Sequence, residues 1–91
     1  MGAVRADDVL RDLGRRVAEL RATRGLTQEK FAEEADITAQ YLQRVEAGRE
    51  NLTVRSLVRL AALLHVSITD LFAKPALREV RPGRPRRVPP R

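Results

Sequence analysis

The sequence predicts an all-α protein: a compact bundle of five short helices followed by a basic arm. Three observations carry that expectation. Apolar residues recur at steps of three and four, as in Leu10, Leu13, Val17 and Leu20. The later apolar segments are preceded by residues that cap helix starts: Thr27, Thr38, Thr53 and Ser67. Between Leu26 and Gly48, two short amphipathic segments are joined by a connection too tight for either to pack alone.

The first helix begins near Asp7, with Asp7 or Asp8 near its N-cap and acids favourable in its first turn. Arg11, Asp12, Arg15 and Glu19 fall mainly off its apolar stripe, and Gly25 ends it. Thr27 caps the second helix, with Glu29 in its first turn. Phe31, Ala32 and Ala35 form the buried side, and Ala32 is small enough to let the next helix approach closely. Asp36 stands at the turn, where Asp tolerates the left-handed region better than most residues. Ile37 turns inward and Thr38 caps the third helix. Leu42 and Val45 anchor it, Tyr41 is partly covered, and Gly48 closes it. Thr53 caps the fourth helix, which carries Val54, Leu57, Leu60, Ala61 and Leu64 toward the core. Ser67 and Asp70 form a capping box for a short fifth helix bearing Leu71 and Phe72.

The chain has 91 residues, enough for one small domain. The boundaries read as a flexible N-terminus over 1–6, a folded domain over 7–73, and a Pro/Arg-rich tail over 74–91. Five prolines and few apolar residues predict an extended, largely unstructured arm from Pro75 onward. There is no cysteine, so disulfide staples and thiolate metal sites are excluded. No apolar run approaches the roughly 20 residues of a membrane span, and no signal-peptide pattern opens the chain. A soluble intracellular protein is the default expectation. His65 stands alone near a helix end, read as solvated or cap-adjacent, and no metal is expected there. Ser, Asp and Glu are scattered without a partnered base, so neither catalysis nor a cofactor is expected.

The formal charge is +6, unevenly spread. Residues 1–73 hold eleven Lys and Arg against eleven Asp and Glu; residues 74–91 hold seven against one. Bulk attraction to a polyanion therefore belongs to the tail, while the body depends on where its charges are placed.

Gln40, Gln43 and Arg44 fall on the outer side of the third helix. Glutamine amides and the arginine guanidinium pair bidentately with adenine and guanine edges in the major groove. With the steep two-helix pattern, they predict a helix-turn-helix that reads DNA sequence.

The segments LRATRGLTQEKFA, ITAQYLQRVEAGRENLT and SLVRLAALLHVSITDLF cover most of residues 13–72. Together they resemble the Cro/repressor-type helix-turn-helix family, also called the xenobiotic-response-element family. That resemblance implies a five-helix, lambda-repressor-like DNA-binding domain without enzymatic activity. It implies a transcriptional regulator of bacterial or phage type, cytoplasmic and nucleoid-associated, with double-stranded DNA as its partner. It implies base reading by Gln40 and Arg44, with Ala39 offering only apolar contact. It implies backbone contacts from Thr27, Gln28, Thr38, Gln43, Arg49 and Asn51. Arg21 and Glu46 match a structural pair tying the first helix to the end of the third. The departures are Asp36 at a usual Gly and His65 where Gly or Asn is common. The segment before the fourth helix and the ending SITDLF also resemble small controller proteins of restriction–modification systems, which are short dimers.

One recognition helix covers a short half-site, so a homodimer is expected. Val58, Leu63, Val66, Leu71 and Phe72 are its candidate interface, though some must serve the core. The same surplus apolar surface also fits an antitoxin holding a protein partner, or an interaction module that has lost DNA. In the tail, Gly83-Arg84-Pro85 followed by Arg86 and Arg87 resembles an AT-hook, with Pro82 where a basic residue is usual. Minor-groove reading, phosphate binding by Arg84, Arg86 and Arg87, and an inert tail all stay open.

Overall fold

The computed structural model describes residues 3–76. Its five helices are α1 (Ala6–Thr23), α2 (Gln28–Ala35), α3 (Ala39–Glu46), α4 (Val54–Leu64) and α5 (Ile68–Leu71). No strand occurs among the described residues. The expected all-α class and helix order are observed.

Capping sets most of the boundaries. The hydroxyl oxygens of Thr27, Thr38 and Thr53 accept from the N–H groups of Lys30, Tyr41 and Ser56 at 3.0, 2.9 and 3.1 Å. Ser67 and Asp70 form the full reciprocal box that starts α5. The start of α1 differs from expectation. Arg5 occupies its N-cap with no side-chain cap, and Asp7 and Asp8 lie inside the first turn. There they favour the helix through its N-terminal partial charge, not by capping.

Each long helix ends by reversing into the left-handed region. Gly25 does so after α1, Asp36 after α2, Gly48 after α3 and His65 after α4. At every one, the following N–H folds back to a carbonyl five residues upstream. Examples are Leu26 to Arg21 and Arg49 to Arg44, at 3.3 and 2.8 Å. Asp36 and His65 therefore occupy a backbone that glycine would adopt at lower cost, and both departures from the family pattern become strained caps.

The core is one cluster. Leu13 and Val17 of α1 meet Phe31 and Ala32 of α2, Leu42 and Val45 of α3, Leu57, Leu60, Ala61 and Leu64 of α4, and Leu71 of α5. Helix α1 packs on α3, α4 and α5; α2 packs on α3 and α4; α4 packs on α5. Most of the expected inward residues are found there or packed against it, and Ala35 is buried beside it; Val54 and Phe72 are the exposed exceptions. Val54 is 70% exposed, because it opens α4 before the helix reaches the core. Phe72 is 52% exposed, while its neighbour Leu71 is fully buried. Leu71 therefore leaves the candidate interface set, since its side chain is already spent on the core.

The composition predicts an extended arm from Pro75 onward. Instead Pro75 is buried, and the Ala76 N–H donates to Glu19 Oε2 at 2.6 Å. Ala76 is thus still bonded to a side chain of α1. Arg84, Arg86 and Arg87, with the AT-hook resemblance, lie outside the described residues.

Candidate nucleic-acid interface

The seat of α3 depends on two close backbone approaches. Gly14 of α1 lies against the end of α3, where a Cβ would sit 2.6 Å from the Glu46 carbonyl oxygen and closer still to that of Val45. Gly48 lies against α1 in turn, where a Cβ would come 2.7 Å from the Arg11 Cα. Neither gap admits a methyl group, so α1 and the end of α3 meet backbone to backbone. Gly14 costs about 1 kcal/mol of helix propensity relative to Ala, which the close approach must offset.

A polar clamp locks the same junction. Arg21 donates Nε to Glu46 Oε2 at 2.7 Å and Nη2 to Glu46 Oε1 at 3.0 Å. Its Nη1 donates to the Leu26 carbonyl at 2.7 Å. The hydrogen bond to Glu46 raises the Arg21 pKa above its ordinary value, against the opposing pull of desolvation. The Glu46 side chain is only 7% exposed and also accepts from Gln28 Nε2 at 2.8 Å. The expected pair is thus present, with Gln28 as an additional member. Gln28 is half-buried and held by Glu46, so its amide is oriented by protein. The backbone contact expected of Gln28 narrows to whatever its remaining amide groups can reach.

Seated this way, α3 turns its outer face to solvent. Gln40, Gln43 and Arg44 are exposed there, and Arg49 and Asn51 are exposed in the following loop. Gln40, Gln43, Arg49 and Asn51 make no side-chain hydrogen bond among the described residues. Thr27 and Thr38 use their oxygens as caps, leaving each hydroxyl proton to donate. The first N–H groups of α2 and α3 lack intrahelical acceptors and carry the partial positive charge of a helix start. Ala39 is half-buried and packs against the core, so only part of its methyl is available for contact.

Three further arginines of the body are held by backbone carbonyls. Arg16 Nε donates to the Asp70 carbonyl at 2.8 Å, Arg24 Nη1 to that of Leu63 at 2.8 Å, and Arg59 Nη2 to that of Ala35 at 2.6 Å. These arginines satisfy helix-end carbonyls and staple one helix to another. No spacing rule in the sequence separates them from arginines free to meet a ligand. The contact of Arg44 Nε with Glu50 Oε2, at 2.7 Å, is equally hidden in the sequence, because Glu50 lies in a loop with no helical register to α3.

A helix-turn-helix family model matches residues 17–71. The chain belongs to the helix-turn-helix family. As a member it is a DNA-binding transcriptional regulator, a non-enzymatic class. Over 64 residues it is 41% identical to the HTH-type transcriptional regulator y4dJ of Sinorhizobium fredii, spanning 70% of this chain and 83% of that one. It is 28% identical over 68 residues to control protein C.MunI of a Mycoplasma species, spanning 74% and 92%. Among solved structures, this helix-turn-helix chain resembles the restriction-modification controller protein C.AhdI of Aeromonas hydrophila. That match has a TM-score of 0.68 and 32% identity, over 72% of this chain and 96% of that one. No helix among the described residues is long and apolar enough to cross a membrane.

Proposed function

We propose that this helix-turn-helix protein reads a specific operator as a homodimer, with α3 in the major groove. One observation carries the reading: a rigidly seated helix whose exposed side chains are amides and a guanidinium, flanked by two helix starts. Gln40 and Arg44 reach base edges, with Ala39 giving a minor apolar contact. The starts of α2 and α3, with Thr27, Gln28, Thr38, Gln43, Arg49 and Asn51, hold phosphates and fix the register. A pure protein-interaction helix would expose apolar anchors on that face, and α3 exposes none.

Dimerisation draws support from a different face. Val54, Val58 and Phe72 are the large apolar side chains exposed on α4 and just past α5, with Leu63 and Val66 half-buried nearby. Val54 and Val58 lie one turn apart and form a stripe along α4. A two-fold dimer would set two α3 helices about 34 Å apart, in successive major grooves. The names of the relatives C.MunI and C.AhdI favour control of a restriction–modification system as the biological setting, in the cytoplasm.

Selection of bound duplexes from a random pool tests the proposal. The expected product is a palindrome with half-sites about 10 base pairs apart, centre to centre. Enrichment of a single short site without a mirror copy would remove the dimer, and no enrichment would remove sequence reading itself.

A further inference from the structure

The loop after α3 returns toward the helix it has just left. Gly48 takes φ +76°, and the Arg49 N–H donates back to the Arg44 carbonyl at 2.8 Å. This reversal lays residue 50 beside the Arg44 side chain. Glu50 Oε2 accepts from Arg44 Nε at 2.7 Å. The Glu50 side chain is 22% exposed and lines a hollow together with Asp7, Leu10, Arg11 and Arg49, whereas the Arg44 side chain is 62% exposed. A sheltered carboxylate therefore grips the inner edge of an outward-facing guanidinium.

We propose that Glu50 is a positioning residue that makes Arg44 read a base instead of a phosphate. The inference rests on the reading of Arg44 as a base-contacting residue. Arginine offers five N–H donors in a planar fork. With Nε engaged by Glu50, the Nη1/Nη2 end stays free to donate outward. That end matches the N7 and O6 acceptors of guanine. Two effects follow from the geometry. The guanidinium is ordered before binding, so less freedom is lost when the base contact forms. Swinging Arg44 to a phosphate would break the direct ion pair and leave Glu50, beside a polyanion, with only Arg11 and Arg49 of the same hollow, which disfavours non-specific binding.

The test uses full-length wild type, Arg44→Ala, Glu50→Gln, Glu50→Asp and the Arg44→Ala/Glu50→Gln double variant. Each is titrated with the duplex enriched by selection, with every single-base-pair variant of it, and with random duplex at one salt concentration. Arg44→Ala identifies the base pair that Arg44 reads. Glu50→Gln should lose about three- to ten-fold of preference at that same base pair, a fraction of what a bidentate contact supplies. It should also bind random duplex more tightly. Glu50→Asp keeps the charge and shortens the reach, so preference should fall there without the gain on random duplex. In the double variant the two losses should not add.

If Glu50→Gln and Glu50→Asp both keep full preference at the base pair that Arg44→Ala abolishes, the positioning role is wrong and the base-reading role stands. If Glu50→Gln sharpens that preference, Glu50 is a competitor and the proposal fails. If Arg44→Ala leaves every preference intact, the underlying reading fails. Both Glu50 substitutions lie in a surface loop outside the core, and the thermal midpoints of the variants check that the fold is kept.

Discussion

Glu46 holds Arg21 by two parallel hydrogen bonds, 2.7 and 3.0 Å long, across the junction where α1 meets the end of α3. The same carboxylate orients Gln28 at the start of α2. Three helices thus converge on one nearly buried acid. Its value lies less in net stability than in fixing how the helices meet, because removing one partner of such a pair strands the other.

Glu46→Ala should therefore destabilise the fold by about 2–4 kcal/mol, through an uncompensated Arg21 and a freed Gln28. Urea unfolding followed by circular dichroism measures it. The pH sign is fixed by the raised pKa of Arg21. Its contribution is fully present below the ordinary arginine range and is lost only as pH rises through the raised value. No loss of stability traceable to Arg21 should occur near neutrality. A stability change below about 0.5 kcal/mol, the scale of an exposed pair, would contradict the clamp.

Gly14→Ala sets helix propensity against packing. Propensity alone would stabilise α1 by about 1 kcal/mol. The added methyl would meet the Val45 and Glu46 carbonyls, which are backbone and cannot rotate away. We expect a net loss of about 1–3 kcal/mol, together with weaker operator binding as α3 is pushed off its seat. A stabilised variant would show that the junction yields.

Asp36→Gly and His65→Gly should act in the opposite direction. Both residues hold positive φ, 59° and 63°, where a side chain is strained. Relief of that strain is worth about 1 kcal/mol each, reduced by the extra freedom glycine gives the unfolded chain. Thermal midpoints should rise for each, and the rises should add for caps on different helices.

Arg44→Ala should keep its thermal midpoint within the small range of surface substitutions, while losing about 1–3 kcal/mol of discrimination at one or two base pairs. The ratio of specific to random affinity at fixed salt reads this. An unchanged ratio would remove Arg44 from the reading set.

The arm is tested by salt dependence. Deletion should begin after Ala76, because Pro75 is buried and the Ala76 N–H is bonded to Glu19. The log–log slope of affinity against salt should flatten by about 0.9 for every phosphate that the arm neutralises. The preferred sequence should survive. If neither slope nor affinity moves, the basic residues beyond Ala76 do not touch DNA.

Much of the fold is legible in the sequence, for identifiable reasons. Thr27, Thr38, Thr53 and Ser67 announce helix starts by a local rule, and the structure places a cap hydrogen bond at each. The apolar steps from Leu13 to Val17 and from Leu57 to Leu64 announce a core, which forms there. What escapes depends on tertiary geometry. Val54 fits the apolar pattern of α4 but lies beyond the packed turns. Gly14 reads as a weak point in a helix until α3 is laid across it. Arg16, Arg24 and Arg59 look like solvated charge until their carbonyl partners are known. Of the candidate interface, Gln40 and Arg44 are visible as residue types in a pattern, whereas the pairing of Glu50 with Arg44 requires knowing how the loop folds back.

Helix α3 divides its labour cleanly by side. Leu42, Val45 and Glu46 fasten it, while Gln40 and Gln43 make no side-chain hydrogen bond among the described residues and take no part in the core. Substitutions at these two outer positions should therefore be almost free of stability penalty. A lineage could exchange these two side chains one at a time without passing through an unfolded ancestor, and a designer could do the same.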